Sequence, residues 1–404
     1  MSEINNTLLT VQEAKTLIAA QRFERKQRIT SLAEAVNAVL AEDIFALTDI
    51  PAFCQSSMDG FALRFADWEA GKPLHVVQEV PAGKTELLSI KPGEAVRIFT
   101  GAALPEGTDT VIMQELTEVK NGHVYIQEHA ELTNGLNTRP KGAEIKRGQL
   151  ALAKGTCLTP AAIGFLGAIG VPEVCVFARP SVGIVVTGDE LQHPGCPLGY
   201  GQVYEASSTM LKAALWEMGI QAVNIYAVED NLSLVKSVLE EALDKHDVVL
   251  TTGGVSVGDY DFVVPAALDA GVRPLFHKVK QRPGKPLFFG RKANIPFFGL
   301  PGNPSSVLTC FYEYVWPVIR SLSGMDTALI SVNVPLKQRY IKTHALTHFL
   351  KGYYANGEVE ILTGQESFRL ASFAQANCLV QLPEEARIYV ANEPVEVHLL
   401  PRYQ

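Results

Sequence analysis

The chain begins with apolar residues spaced as on one face of a helix. Val11, Ala14, Leu17 and Ile18 recur at intervals of three or four residues, which predicts an amphipathic helix. The same spacing predicts a second helical stretch over residues 31–42. We therefore expect the N-terminal region to be mainly helical.

The pattern changes to that of short strands from residue 51 onward. Apolar runs alternate there with Gly, Pro and Asn turns, which predicts a β-rich insert domain over 51–147. These runs lie at 75–80, 95–99 and 110–114. Residues 148–179 are again apolar and mixed, so we expect them to complete an N-terminal domain with residues 1–50.

Residues 180–326 alternate between apolar runs and amphipathic stretches. This order predicts a doubly wound, mostly parallel α/β domain. After residue 327 short alternating segments predict a small C-terminal β-barrel-like domain over 327–404. The expected strands of the α/β domain are 181–187, 222–228, 247–252 and 296–299. Its expected helices are 207–218, 231–243, 261–270 and 304–321. The expected C-terminal segments are 331–335, 358–362, 378–382 and 395–400.

Length, charge and cysteine usage narrow the functional classes. At ~100–200 residues per domain, 404 residues correspond to several domains. A formal charge of −8 argues against nucleic acid or an anionic membrane surface as the main partner. The longest nearly apolar run, 161–171, is too short to span a bilayer, and we see no secretory signal. Six scattered cysteines without a CxxC pair predict reduced thiols in a cytoplasmic protein.

Polar or glycine-rich loops follow four of the predicted strands of the α/β domain. Because the carboxyl ends of parallel strands lie at the same edge of a sheet, we expect these loops to converge and to bind a ligand there. The loops are 187–191, 229–231, 253–261 and 299–306.

The loop 253–261 begins with residues that suit an anion. Glycines and small residues let the backbone approach a ligand closely, and free N–H groups in such turns bind anions. The residues concerned are Gly253, Gly254, Ser256 and Gly258. The stretch 254–258 also matches the G-x-S-x-G pattern of serine hydrolases, but an acidic stretch separates it from the next predicted helix, so the match does not favour a hydrolase.

Acidic residues in three of the four loops predict a cation site. Carboxylate oxygens are the ligands that Mg²⁺ prefers. The candidates are Asp189, Glu190, Asp230, Asp259 and Asp261. Taken singly, Asp230, Asp259 or Asp261 is explained equally well as a helix cap.

Basic residues and a helix start predict an oxyanion site in the same domain. Asn303 suits the N-cap position and Pro304 the first position of a helix, whose N–H groups and dipole favour an oxyanion. Just upstream, four cations lie within eight residues, which a solvated basic strand would also explain. They are Lys278, Lys280, Arg282 and Lys285.

Other catalytic motifs are absent or incomplete. Neither a P-loop nor an H-E-x-x-H sequence occurs. His344 and His348 are four residues apart but have no acidic third ligand nearby, so we predict no metal site there.

Taken together, these motifs resemble the MoeA family of molybdopterin molybdenumtransferases, to which the E domain of gephyrin is related. The resemblance runs in family order and covers essentially the whole chain. The matching stretches are SMDG (57–60), RIFTGA (97–102), VIMQE (111–115), TGDEL (187–191), GQVY (201–204), GGVSVG (253–258), PGKP (283–286) and GLPGNP (299–304).

The resemblance implies an elongated homodimer of four-domain subunits, with a MogA-like α/β domain and an N-terminal domain that serves as linker and dimer contact. It implies Mg²⁺-dependent insertion of molybdate into adenylated molybdopterin with release of AMP. The active cleft is then expected between the α/β domain of one subunit and the β insert of the other. A MogA-type adenylyltransferase and acceptor molybdoenzymes are the implied partners.

The resemblance also assigns roles to individual residues. Those implied to be catalytic are Asp59, Thr100, Glu144, Glu190, Asp230 and Asp261, of which Glu190, Asp230 and Asp261 would hold the metal. Those implied to bind molybdate or the pterin phosphate are Gly253, Gly254, Ser256, Gly258, Lys278, Arg282, Lys285, Pro301, Gly302, Asn303, Pro304, Lys351 and Ser367.

The sequence departs from the family pattern at several of these positions. Glu144 stands where the family has an aspartate, and Glu205 and Ser207 lie in a stretch that differs from its usual Tyr-Asp-(Ser/Thr)-Asn. Arg282 replaces a lysine, and Lys351 replaces an arginine and so loses the bidentate fork. A slower enzyme, or a non-catalytic or altered-specificity molybdopterin-binding paralogue, is the alternative that these changes leave open.

Overall fold

The computed structural model describes residues 8–69, 71–83, 88–255, 261–326 and 328–401. The chain divides into two compact units, one formed by the residues up to Arg28 together with those from Phe177 onward, the other by Ile29–Val176. Each unit has its own buried apolar clusters. None of the helices in these ranges is both long and apolar enough to cross a membrane.

Six strands form the central sheet of the larger unit. They are β1 (Val182–Thr187), β2 (Val223–Val228), β3 (Val248–Thr252), β4 (Arg273–His277), β5 (Phe288–Lys292) and β6 (Ile295–Leu300), in the order β2-β1-β3-β6-β5-β4. The first four in this order are parallel, as predicted, and β5 and β4 add an antiparallel edge. The sequence prediction missed this edge because a hairpin with only Ala293 and Asn294 between its strands joins β5 to β6.

Helices cover the predicted positions between these strands. They are Ser207–Glu217, Leu232–Lys245, Val263–Asp269 and a continuous run composed of Pro304–Cys310, a π-helical turn Phe311–Val315 and Trp316–Leu322. Asn231 caps its helix by accepting hydrogen bonds from the N–H groups of Ser233 and Leu234, as its position predicted. The π turn was not predicted, and it places the carboxylate of Glu313 in the protein interior.

The N-terminal helix of the larger unit is Val11–Ala19. A capping box between Thr10 and Glu13 starts it. Of the four residues in the predicted apolar stripe, three are buried, whereas Leu17 is 36% exposed. The predicted helix is therefore confirmed with a narrower buried face.

A second six-stranded sheet occupies the C-terminal part of the larger unit. Its strands are Gln281–Arg282, Ser331–Pro335, Thr347–Ala355, Glu358–Ile361, Cys378–Leu382 and Pro394–Leu399. All four predicted C-terminal segments form strands. The longest strand, Thr347–Ala355, was missed because its first six residues are all buried and it has no alternating pattern. Gln281–Arg282 pairs in parallel with Thr347 and His348, which ties the basic segment of the α/β region to this sheet.

The described residues of the smaller unit form a six-stranded sheet and an α-helix. The strands, in sheet order, are Thr110–Met113, Gly60–Leu63, Glu94–Ile98, Leu74–Val80, His123–Ile126 and Thr117–Lys120. Short antiparallel pairs join Gln55–Ser56 to Thr138–Arg139 and Ile44–Phe45 to Leu150–Leu152. The helix is Pro160–Ala168, capped by the Thr159 side chain. The strands predicted from residue 75 to residue 114 are confirmed.

The predicted helix over 31–42 is wrong. Only Leu32–Glu34 forms a short 3₁₀ turn, and Asn37 has a left-handed φ of 59°. The N–H groups of Asn37 and Leu40 donate to the carbonyls of Leu158 and Thr156, far along the chain. Pairing with a distant segment therefore satisfies this backbone instead of helical hydrogen bonds.

Candidate active site

Three loops meet at the carboxyl ends of β1, β3 and β6. Gly253 has a φ of 87°, and a Cβ placed on it would lie 2.8 Å from the Thr187 carbonyl oxygen. A Cβ on Gly302 would lie 3.8 Å from the Gly253 Cα. Only glycine permits this approach at position 253. The predicted convergence of these loops is therefore confirmed.

The fourth loop, after β2, joins them through its acidic residue. The N–H of Asp230 donates a 3.1 Å hydrogen bond to Oδ1 of Asp189, which follows β1. Burial, together with the charges of Asp189 and Glu190, raises the pKa of Asp230. Several carboxylates therefore lie close together at this edge of the sheet, and a bound cation would reduce the repulsion between them.

A cavity of about 990 Å³ lies among the loops that follow β1, β3 and β6, whereas Asp230 in the loop after β2 does not line it. Many of the residues predicted to form the site line it: Glu190, Gly253, Arg282, Lys285, Pro301, Gly302, Asn303, Pro304 and Ser367. Lining residues that the sequence reasoning did not select include Thr187, Thr252, Gln281, Leu346, Gln365 and Phe368. The C-terminal segment 365–368 contains no recognisable motif. Apart from Ser367, which the family resemblance selected, its residues could not be assigned to the site from the local sequence.

The basic side of the cavity is formed by Arg282 and Lys285. Both side chains are exposed, and neither has a carboxylate partner among the described residues. Gln281 holds their turn, because its Nε2 donates to the carbonyls of Pro283 and Gly284 at 3.1 and 3.2 Å. Tyr314 donates its hydroxyl proton to Oε1 of the same side chain. Unpaired cations on a held turn are suited to an anionic ligand.

The predicted helix start is also at the cavity. Asn303 occupies the N-cap position but its side chain makes no capping hydrogen bond. Pro304 is the first helical residue, as predicted. The N–H of Ser305 donates to the Ser367 carbonyl at 3.1 Å, which joins the helix start to the segment 365–368.

Two of the predicted anion-binding lysines do not line this cavity. Lys278 has a left-handed φ of 77° and donates its N–H to the Leu287 carbonyl. Lys351 is 3% exposed, and its ammonium donates to the carbonyls of Gly364, Glu366 and Arg369. Burial lowers the pKa of Lys351.

The three predicted metal ligands are not gathered into a preformed cage. Among the described residues, no group of three or more His, Cys, Asp or Glu side chains is placed to hold a metal ion. Asp261 lies near His277, whose Nε2 is 2.8 Å from the Val255 carbonyl oxygen. Mg²⁺ commonly takes one or two carboxylates and completes its shell with substrate phosphates and water, so Glu190 and Asp230 fit such a site.

Glu205, one of the departures from the family pattern, has a structural role. It is 9% exposed, and its carboxylate accepts hydrogen bonds from the N–H of Ser208 at 2.8 Å and from its hydroxyl at 2.5 Å. It therefore satisfies the first turn of the helix Ser207–Glu217 while lining the cavity.

The rings of His344 and His348 lie close together, and within the described ranges no third metal-ligating side chain joins them. The rings of His344 and His348 are 4.6 Å apart between centroids. Burial, with His344, Arg282 and Lys342 near, lowers the pKa of His348 to about 3. Both rings therefore lie in a basic environment.

In the smaller unit, Asp59 and Thr100 form a hydrogen-bonded pair. The N–H and the hydroxyl of Thr100 both donate to Oδ1 of Asp59 at 2.8 Å, which lowers the pKa of Asp59. Glu144 lies on a separate exposed turn, with its N–H donating to the Ile50 carbonyl. Ser256, Gly258 and Asp259 lie outside the described residues, so the hydrolase pattern around Ser256 has no structural description.

The fold and the cavity define a multidomain α/β protein with a cavity, lined on one side by unpaired cations, at the carboxyl ends of its parallel strands. Three family models match successive parts of the chain: MoeA N-terminal region (domain I and II) at 9–170, probable molybdopterin binding domain at 183–321, and MoeA C-terminal region (domain IV) at 333–400.

Full-length relatives agree with these matches. A protein named molybdopterin molybdenumtransferase from Haemophilus influenzae is 33% identical, over 97% of this chain and 100% of its own length. A protein of the same name from Bacillus subtilis is 32% identical, over 98% of this chain and 94% of its own length. Two crystal structures of the molybdopterin biosynthesis MoeA protein from Pyrococcus horikoshii match with TM-scores of 0.85 and 0.80 at 29% and 30% identity. They cover 97% and 98% of this chain and 99% and 100% of those chains. The chain belongs to the MoeA family and is an enzyme of the transferase class.

Proposed function

We propose that this protein inserts molybdate into adenylated molybdopterin in a Mg²⁺-dependent reaction that releases AMP. The observation that carries the proposal is the single cavity that brings the unpaired cations Arg282 and Lys285 together with Glu190. Membership of the MoeA family supports the choice of a pterin substrate. Because molybdate is a dianion, guanidinium, ammonium and helix-start N–H groups are suitable donors for it.

The acidic residues have a distinct part in this proposal. Glu190 and Asp230 would hold Mg²⁺, which supplies positive charge to the phosphate oxygens when bound. Arg282 and Lys285 bind the oxyanion, and the turn held by Gln281 keeps both cations oriented before substrate arrives. In this proposal the substrate's own dithiolene sulfurs receive the molybdenum, so no protein cysteine is required.

We further propose that the protein acts as a cytoplasmic homodimer. Its substrate would come from a MogA-type adenylyltransferase, and its product would go to acceptor molybdoenzymes. The net charge of −8 supports a role without nucleic acid or an anionic membrane. Sedimentation of the purified protein tests the dimer, which a single monomeric boundary at micromolar concentration would contradict.

The deciding experiment is AMP release from adenylated molybdopterin by the purified protein at varied Mg²⁺ and molybdate. We expect release to require both ions, and Arg282→Ala and Lys285→Ala to raise the molybdate KM. Lys236→Ala is the control, because Lys236 is a partly exposed lysine on the helix Leu232–Lys245 and does not line the cavity. If the pterin binds but no AMP appears at any molybdate or tungstate concentration, the non-catalytic paralogue replaces this proposal.

A further inference from the structure

The segment that follows the hairpin strand Glu358–Ile361 forms one side of the cavity without helix or strand structure. Its residues Gln365, Glu366, Ser367 and Phe368 all line the cavity. A segment of this kind has no ladder hydrogen bonds of its own, so other groups must satisfy its backbone.

The ammonium of Lys351 satisfies much of that backbone. Its Nζ donates to the carbonyl of Gly364 at 2.7 Å, of Arg369 at 3.1 Å and of Glu366 at 3.4 Å. These three acceptors use the three protons of the ammonium. The side chain is buried on the strand Thr347–Ala355 and does not line the cavity. Lys351 therefore has no donor left for a ligand in this arrangement.

Gln365 binds the same strand from the segment side. The main-chain N–H of Lys351 donates to Oε1 of Gln365 at 2.9 Å, and Nε2 of Gln365 donates to the carbonyls of Lys351 and Leu362, both at 2.8 Å. Together with the three carbonyl contacts, these bonds tie the segment to one residue of the sheet. The Ser367 carbonyl in turn accepts from the N–H of Ser305 at the helix start.

We propose that Lys351 and Gln365 are positioning residues, which hold the segment 364–369 so that Ser367 and the helix start present a preformed site to molybdate. This inference rests on the proposed function for the identity of the oxyanion. It differs from the role that the family resemblance implies for residue 351, because Lys351 acts through the segment and not by touching the ligand.

The test compares Lys351→Met with Gln365→Ala and with the double variant. We expect each single variant to raise the molybdate KM by about tenfold, because each removes hydrogen bonds that hold the segment in place, with a smaller change in kcat. Because both residues hold one segment, the double variant should lose little more than either single variant. If Lys351 acted by touching molybdate instead, the two substitutions would remove independent contributions and their effects on the molybdate KM would add in the double variant.

Lys342→Met is the matched control. Lys342 is also 3% exposed and donates from Nζ to two carbonyls, those of His344 at 2.6 Å and Glu385 at 3.0 Å, but it does not line the cavity. Lys342→Met should lower the free energy of unfolding by about as much as Lys351→Met does, and it should leave the molybdate KM at the wild-type value. An equal rise in KM in Lys342→Met would mean that general destabilisation explains the effect, which overturns the inference.

Direct molybdate binding by equilibrium dialysis separates this inference from the proposed function. If the wild-type protein releases AMP while both positioning variants bind molybdate normally, the inference fails and the function stands. If the wild-type protein releases no AMP but binds molybdate in a manner that depends on Lys351 and Gln365, the function fails and the inference stands.

Discussion

The Nδ1 atom of His398 lies 2.7 Å from Oε1 of Glu313, in the interior of the larger unit. Lys15 forms an ion pair with the other oxygen of the same carboxylate at 2.5 Å. The N-terminal helix, the π turn and the last strand of the C-terminal sheet therefore meet at one buried carboxylate. A buried carboxylate is tolerated in an apolar core only when it is paired in this way.

This cluster predicts a loss of stability at alkaline pH. Burial alone would lower the pKa of His398, but Glu313, with a smaller contribution from Glu396, raises it from 6.5 to about 9. Since the folded-state pKa is raised, the stabilisation is complete below pH 6.5 and is lost as the pH rises through about 9. The full shift corresponds to about 3 kcal/mol in the free energy of unfolding.

Urea unfolding at several pH values between 6 and 10 measures this dependence. In His398→Gln the stability at neutral pH should fall, and the decline between pH 6.5 and 9 should flatten. His193→Gln is the control, because His193 is exposed. The prediction is wrong if His398→Gln keeps the same alkaline decline as the wild-type protein.

Asp230→Asn should weaken Mg²⁺ activation while stabilising the fold. Burial and the neighbouring Asp189 and Glu190 raise the pKa of Asp230, so its charged form is less stable in the folded protein than in water. A neutral amide removes this repulsion and also removes a metal ligand. We expect the Mg²⁺ concentration for half-maximal AMP release to rise by about tenfold or more, together with a higher melting temperature.

The exposed residue Asp244 provides the control for this substitution. Asp244→Asn should change neither the Mg²⁺ dependence nor the melting temperature appreciably. Unchanged Mg²⁺ dependence in Asp230→Asn would remove Asp230 from the proposed metal site.

Glu144→Asp should raise molybdate-dependent turnover. Glu144 carries one methylene more than the aspartate that the family resemblance implies at this position, and a displacement of about 1 Å in a reacting group can cost on the order of 10²-fold in rate. The measurement is kcat for AMP release at saturating molybdate. Glu131→Asp, an exposed change of the same kind in the same unit, is the control. An unchanged or lower kcat in Glu144→Asp would show that the glutamate is the adapted residue here.

Gly253→Ala should destabilise the protein more than the strain of an alanine in a left-handed conformation would by itself. A Cβ at this position lies 2.8 Å from the Thr187 carbonyl oxygen, which belongs to the backbone and cannot rotate away. Gly357→Ala is matched, because Gly357 has a similar φ of 82° with nothing within 4 Å of its Cβ position. We expect Gly253→Ala to lose about 1–3 kcal/mol more in the free energy of unfolding than Gly357→Ala, and to lose molybdate affinity as well. Equal losses in chemical denaturation would contradict the close packing of the two loops.

The alternation of apolar runs and amphipathic stretches was enough to predict the parallel strands and the helices between them. Each of these elements is short and uniform in pattern, and its type depends on the periodicity of neighbouring residues. The position of the active-site loops followed from the same pattern, because parallel strands bring their carboxyl ends to one edge. Residues such as Gly253 and Gly302 could therefore be selected before any contact was known, whereas Arg282 was selected from the basic run 278–285 and from the family resemblance.

What depends on contacts distant in sequence was decided by the tertiary structure alone. Residues 31–42 have a helical pattern, yet their backbone forms hydrogen bonds with residues 156–158 instead of a helix. The sequence shows that Lys351 is a cation, but only the fold shows that its three protons bind the carbonyls of another segment. Gln281, which holds the turn at Pro283 and Gly284, is likewise bound by the Tyr314 hydroxyl, more than 30 residues away along the chain. Periodicity determines which face of an element is apolar, whereas the partner of a buried polar group is determined by which segments packing brings together.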